Sequence, residues 1–161
     1  MPTTAGADNA PHSYLLVMEE PNFGVAANGD QIATTGEGEF SVNPNSVDAA
    51  GEFTHPDANG NVRASETWTA TELLTYQSYG CGEVFGTPFP SNLCGGAVKM
   101  RVTLSTPEGS LPAIMTVICV IGTHAPQAIL GPRSEGVTLN VQDVINFSHS
   151  AGGDNVYVQL S

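Results

Sequence analysis

The stretch "VRASETWTATELLTYQS", residues 62–78, holds the chain's only tryptophan and contains neither glycine nor proline. Its residues alternate as a β-strand requires, because successive side chains of a strand point to opposite faces. Arg63, Ser65, Thr67, Thr69 and Thr71 form one face, a solvated ladder of small polar groups. Ala64, Glu66, Trp68, Ala70, Glu72, Leu74 and Tyr76 form the other. Helical periodicity is nearly absent elsewhere, and Gly, Pro, Asn, Asp and Ser recur every 8 to 14 residues. That rhythm of short strands and turns predicts an all-β fold, a single antiparallel β-barrel or jelly-roll-like sandwich of about eight strands.

The strands are expected near 13–19, 31–42, 49–55, 62–78, 97–105, 112–122, 136–148 and 155–160. In "HPDANGNV" (55–62), Asn59-Gly60 suits a tight hairpin turn. "STPEGSLP" (105–112) and "SAGGDN" (150–155) read as further turns, and "QDVINF" (142–147) hints at one helical turn. The phenylalanine-ending echoes "GEGEF" and "AAGEF" read as two ends of a meander, not a repeat fold.

At 161 residues the chain has the length of one domain, 1–161, with 1–12 as an N-terminal arm. Sixteen acids against four Lys and Arg give a net charge of −12. Such a surface repels phosphate backbones and anionic headgroups, so neither nucleic acid nor membrane is expected as a partner. The acidic excess reads as solubility in a secreted or periplasmic setting, with high-salt adaptation as the alternative. The longest apolar run, "PAIMTVICVIG" (112–122), is too short for a membrane span. "MPTTAGADNAPHS" lacks the basic start and apolar stretch of a signal peptide, so either the protein stays inside or the sequence starts at the mature end.

Parity extends to the other strands. Val98, Met100, Val102 and Leu104 are expected inward, with Lys99 and Arg101 outward against acidic neighbours. Residues 113–121 are apolar on both faces, which calls for cover by a loop, a second sheet or another copy of the chain, hence a homo-oligomer. On 31–42, Gly36 and Gly38 share the inward face with Ile32, Phe40 and Val42. Glycine there signals a bend, a close backbone approach, or open space between an aromatic floor and a loop lid.

That inward face makes Glu66 the leading chemical candidate. A carboxylate held against apolar walls beside Trp68 has a raised pKa and serves as a general acid or base, with Tyr76 or His55 assisting. A β-bulge near Thr69–Glu72 would instead reverse parity and send Glu72 to water. The loop "CGEVFGTPFPSNLCGG" (81–96) supplies a second candidate. Cys81 and Cys94 are spaced too far apart for a zinc knuckle, and a disulfide between them is expected, with Cys119 left as a buried thiol. Three free thiols in an intracellular protein are the competing case. Phe85 and Phe89, stiffened by Pro88 and Pro90, either plug the barrel end, the preferred reading, or form a lid or partner surface.

His12, His55, His124 and His149 are scattered, so no metal site is expected; "DANGN" (57–61) lacks the glycine and glutamate of a calcium loop. No cofactor fingerprint or nucleophile elbow is present, and "NFS" (146–148) is a glycosylation acceptor. These features point first to an extracytoplasmic, non-enzymatic binding or structural module. It would contact a small apolar molecule or glycan at one barrel end, through Trp68, Phe85, Phe89 and Phe40. A small barrel isomerase, cyclase or lyase using Glu66 is the second reading, and a self-assembling surface or filament subunit the third.

Overall fold

A computed structural model describes residues 10–56, 59–123 and 135–161, the side chains of 63–65 excepted. Residues 1–9 of the expected arm, Asp57 and Ala58 of the hairpin turn, His124, and the side chains of Arg63, Ala64 and Ser65 lie outside the described set. The described chain is all β. Its strands are β1 (His12–Val25), β2 (Gln31–Val42), β3 (Ser46–Pro56), β4 (Val62–Cys81), β5 (Glu83–Val84) and β6 (Thr87–Pro88). They continue with β7 (Leu93–Thr106), β8 (Gly109–Cys119), β9 (Gly136–Val141), β10 (Ile145–Phe147) and β11 (His149–Gln159). None of the described elements is a helix able to cross a membrane.

Nine strands form one antiparallel sheet in the order β10-β9-β8-β7-β11-β1-β2-β3-β4, and β4 also pairs with β7, so six of them close into a partial ring. The long β4 makes this possible. Its first part, Val62–Thr69, pairs with β3, while Thr67–Cys81 pairs with β7. Such a corner needs local bending, and three register shifts along the β4–β7 ladder supply it, at Ala70/Glu72, Leu73/Thr75 and Ser78/Gly80.

The first of these irregularities decides the fate of Glu72. Trp68 and Ala70 point inward, but beyond the shift Leu73 takes the inward place and Glu72 faces water. There its Oε1 accepts from Arg101 Nε at 3.0 Å, an exposed pair. It contributes ~0–1 kcal/mol.

One turn expected from composition is not a turn, and one expected strand is two. Residues 150–155 lie within β11, where register shifts against β1 absorb Gly152 and Gly153. The stretch 136–148 is two strands, since Asp143 takes a left-handed φ of 62° and folds β10 back on β9, pairing Ile145 with Val141 and Phe147 with Leu139. β11 pairs with β1 along its length and with β7 at Leu93 and Cys94.

The core is filled from the strands of the nine-stranded sheet by Leu16, Ile32, Trp68, Met100, Met115, Leu139, Phe147 and Tyr157, among others. Each such side chain stabilises the fold by ~1.5–3 kcal/mol through burial. On β8, Ala113, Met115, Val117 and Cys119 are buried while Ile114 and Ile118 stay half-buried on the outer face. Beside the Cys81–Cys94 end, Tyr14, Phe40, Tyr76 and Tyr157 form an aromatic cluster with centroids 4.9 to 5.9 Å apart.

Between β8 and β11, side chains take over where the backbones do not pair. The Tyr157 hydroxyl donates to the Val117 carbonyl (2.6 Å), Asn155 Nδ2 to the Ile118 carbonyl (2.9 Å), and the Cys119 thiol to the Asn155 carbonyl (3.0 Å). Asn22 and Asn155 exchange amide bonds of 2.8 and 2.6 Å. The Glu135 carboxylate closes the gap, accepting from Val120 N (2.7 Å) and Asn155 N (2.8 Å). Buried polar groups hold a fold only when all are satisfied. Here every buried side-chain nitrogen and oxygen among the described residues has a partner.

Burial pushes the Glu135 carboxyl upward, and it outweighs the two amide bonds that pull it down. A carboxyl raised in the folded state binds more protons there than in the unfolded chain. Its contribution to stability is therefore present below the ordinary carboxylate range and lost as pH rises through the folded value. Glu135→Gln should cost about 1–3 kcal/mol at pH 4.5, because the amide's NH2 group would face one of the two backbone N–H donors that the carboxyl's oxygens accept from. The stability gap between wild type and variant should narrow as pH rises from 4.5 to 7.5, measured by urea denaturation at each pH. A gap that widens over that range would contradict the assignment.

Candidate functional site

Trp68 is fully buried. It stands across from Gly51 on β3 and Leu104 on β7, and its Nε1–H donates to the Thr35 carbonyl at 2.9 Å. Gly36 and Gly51 create the room. A Cβ on Gly36 would run into indole Cζ2, and one on Gly51 would meet Nε1 as well as the backbone of Thr35. Of the three meanings open for an inward glycine, close approach is the one realised at Gly36. The space expected for a ligand beside the indole is occupied by the indole itself.

Glu66 pairs with Phe53, two residues before Trp68. It is half-buried, on the rim of a depression of about 260 Å³ shared with Glu52, Phe53, Thr54 and Thr67 and open to solvent. Tyr76 lies ten residues further along β4, roughly 30 Å at strand rise. Its hydroxyl donates to the Gly95 carbonyl (2.9 Å), and burial raises its pKa. Phe40 is buried in the aromatic cluster beside it. Glu66 and Tyr76 thus belong to opposite ends of β4.

The disulfide between Cys81 and Cys94 joins the end of β4 to the start of β7. Phe85 and Phe89 stand outside it, 45% and 42% exposed, on the β5–β6 hairpin. They do not plug the barrel. Tyr14, Phe40, Tyr76 and Tyr157 already fill that end, and the hairpin is held by Gly122 N donating to the Glu83 carbonyl (2.6 Å) and Phe89 N to that of Gly82 (2.9 Å). Cys119 is a buried free thiol whose pKa is raised, first by burial and then by nearby Glu135.

An apolar opening among the described residues belongs to the other mouth of the ring. It is a slot of about 60 Å³ between Ile32 of β2, Phe53 and His55 of β3, Leu104 and Thr106 of β7, Leu111 of β8, Val141 of β9, and Val144, Ile145 and Phe147 around β10. Larger depressions of about 270 Å³ lie at Ser13, Glu39 and Asp48 and at Lys99, Thr116 and Asn140, somewhat more open and lined by a mixture of polar and apolar groups. A concave apolar site with one placed polar group is the usual form of a small-ligand pocket.

His55 is that polar group. Its Nε2 lies 3.0 Å from Asp30 Oδ2, with side chains only 18% and 11% exposed, and its ring meets Phe147 edge to face at 5.1 Å. Local structure fixes Asp30 firmly: its N–H donates to Asn28 Oδ1 (2.9 Å), and its carbonyl accepts from Ala26 N (2.8 Å). Register explains the meeting. Thr34 faces Phe53, so continuing the ladder sets His55 opposite Ile32, one diagonal step from Asp30.

Sequence reasoning found His55 and missed Asp30. The signal was present, since Asp30, Ile32 and Thr34 share one parity and an acid at the head of an inward face needs a partner. No cluster of three or more His, Cys, Asp or Glu suited to a metal occurs among the described residues. Comparison with known proteins finds no matching family model, no similar curated protein and no similar solved structure.

Proposed function

We propose that the chain is an extracytoplasmic all-β binding module that takes the apolar end of a small ligand in the slot at the His55 mouth. The observation that carries this reading is the lining: apolar side chains from six strands converge on one opening whose main polar group, His55, is held in place by Asp30. The disulfide favours an oxidising compartment, in keeping with a secreted or periplasmic location. The test is a titration of methyl-labelled protein with 3-methylbutan-1-ol. The Leu104, Leu111, Val141 and Ile145 methyl resonances should shift together and saturate. Leu111→Trp should fill the slot and weaken binding at least tenfold while the fold is retained. Shifts scattered over the outer faces, or none, would overturn the reading.

A proton-transfer enzyme is the second reading, and the observation favouring it is the same His55–Asp30 pair, an oriented imidazole beside an apolar slot. In that case His55, rather than Glu66 with Tyr76, carries the proton.

A further inference from the structure

We propose that the slot selects ligands bearing a hydroxyl group, an alcohol with a short branched apolar end, through the free nitrogen of His55. This rests on the slot reading above and adds what the ligand must carry.

Nε2 of His55 is committed to Asp30 at 3.0 Å. A carboxylate accepts and does not donate, so in the neutral ring the proton sits on Nε2 and Nδ1 is left as an acceptor. Nδ1 has no partner among the described residues, yet no buried side-chain nitrogen there lacks one. It follows that Nδ1 is reachable from solvent. The ring that offers this lone pair also lines the apolar slot and stacks edge-on against Phe147.

Charge and size narrow the class. Asp30 behind the ring and a chain charge of −12 disfavour carboxylates and phosphates. An ammonium group would lose hydration beside Ile32, Leu104 and Val141, with a neutral nitrogen as its nearest acceptor. A hydroxyl donates without that cost. At about 60 Å³ the slot is small, which suits the tip of a short branched chain.

The experiment compares 3-methylbutan-1-ol with 1-methoxy-3-methylbutane, which keeps the branched tip but cannot donate. Binding is read from slot methyl shifts and from the imidazole nitrogen resonances of His55. The alcohol should bind about tenfold more tightly than the ether, as one hydrogen bond allows. It should also move the Nδ1 resonance, whereas the ether moves the methyls alone. His55→Phe should remove the preference, and the nitrogen readout on the wild type decides the matter should that variant fail to fold. Equal affinities, or an unmoved Nδ1, overturn this inference and leave the slot reading standing. Failure of both ligands to move the slot methyls overturns both.

Discussion

Trp68→Ala is expected to destabilise the protein by about 4 kcal/mol, the usual cost of emptying a fully buried indole site. Three features place it high in the range. The indole is wholly buried, its Nε1–H leaves the Thr35 carbonyl without its donor, and the strands that pass over Gly36 and Gly51 cannot collapse into the void because their backbones already touch. A companion variant isolates the packing. Gly36→Ala drives a methyl into the indole and the Ala50 carbonyl, an overpacking cost of about 1–3 kcal/mol. In the Trp68→Ala background much of that clash is gone. The double variant should therefore cost less than the two single changes added, by at least 0.5 kcal/mol. Urea unfolding midpoints of the four proteins measure this, and strict additivity would mean that the glycine and the indole do not share space.

Loss of the Cys81–Cys94 bond is the second large effect. It closes a loop of sequence separation 13, and releasing such a loop in the unfolded chain costs about 3 kcal/mol. The double change Cys81→Ser and Cys94→Ser should show that loss, as should wild type under a reductant, with Cys119 buried and out of the exchange. Because the bond sits at the base of the β5–β6 hairpin, amide hydrogen exchange at residues 82–92 should rise more than elsewhere. Equal stability with and without reductant would contradict the role given to this bond.

Much of the architecture was legible because burial on one face imposes alternation. Strands 31–42 and 98–104 read correctly from parity alone, as did the outward Arg101 that meets Glu72. What stayed hidden was set by departures from alternation. The shift after Ala70 exchanged Glu72 for Leu73, the left-handed Asp143 split one expected strand into two, and bulges let a Gly-Gly pair continue β11. A bulge leaves little trace in composition, since one extra residue in a ladder is a property of two strands at once.

The site was less legible for the same reason. Trp68 and Glu66 do lie on one strand side by side, and parity placed the indole inward, but it could not say that Gly36 and Gly51 hand their space to that indole. Loop composition leaves Phe85 and Phe89 as plug or as lid or partner surface, and the plug is excluded only by the four rings from four other strands that fill that end. His55 and Asp30 are 25 residues apart, and only the β2–β3 register joins them.

The central claim is that the ring's body is solid at Trp68 and that its apolar opening is the mouth beside His55. Xenon pressurisation of a crystal tests it most directly, since xenon enters dry apolar cavities and ignores polar depressions. The account predicts one strong xenon position bounded by Ile32, Leu104, Val141 and Phe147, and none against the indole. Xenon density between Trp68 and Gly36, or an empty slot at full pressure, would contradict it.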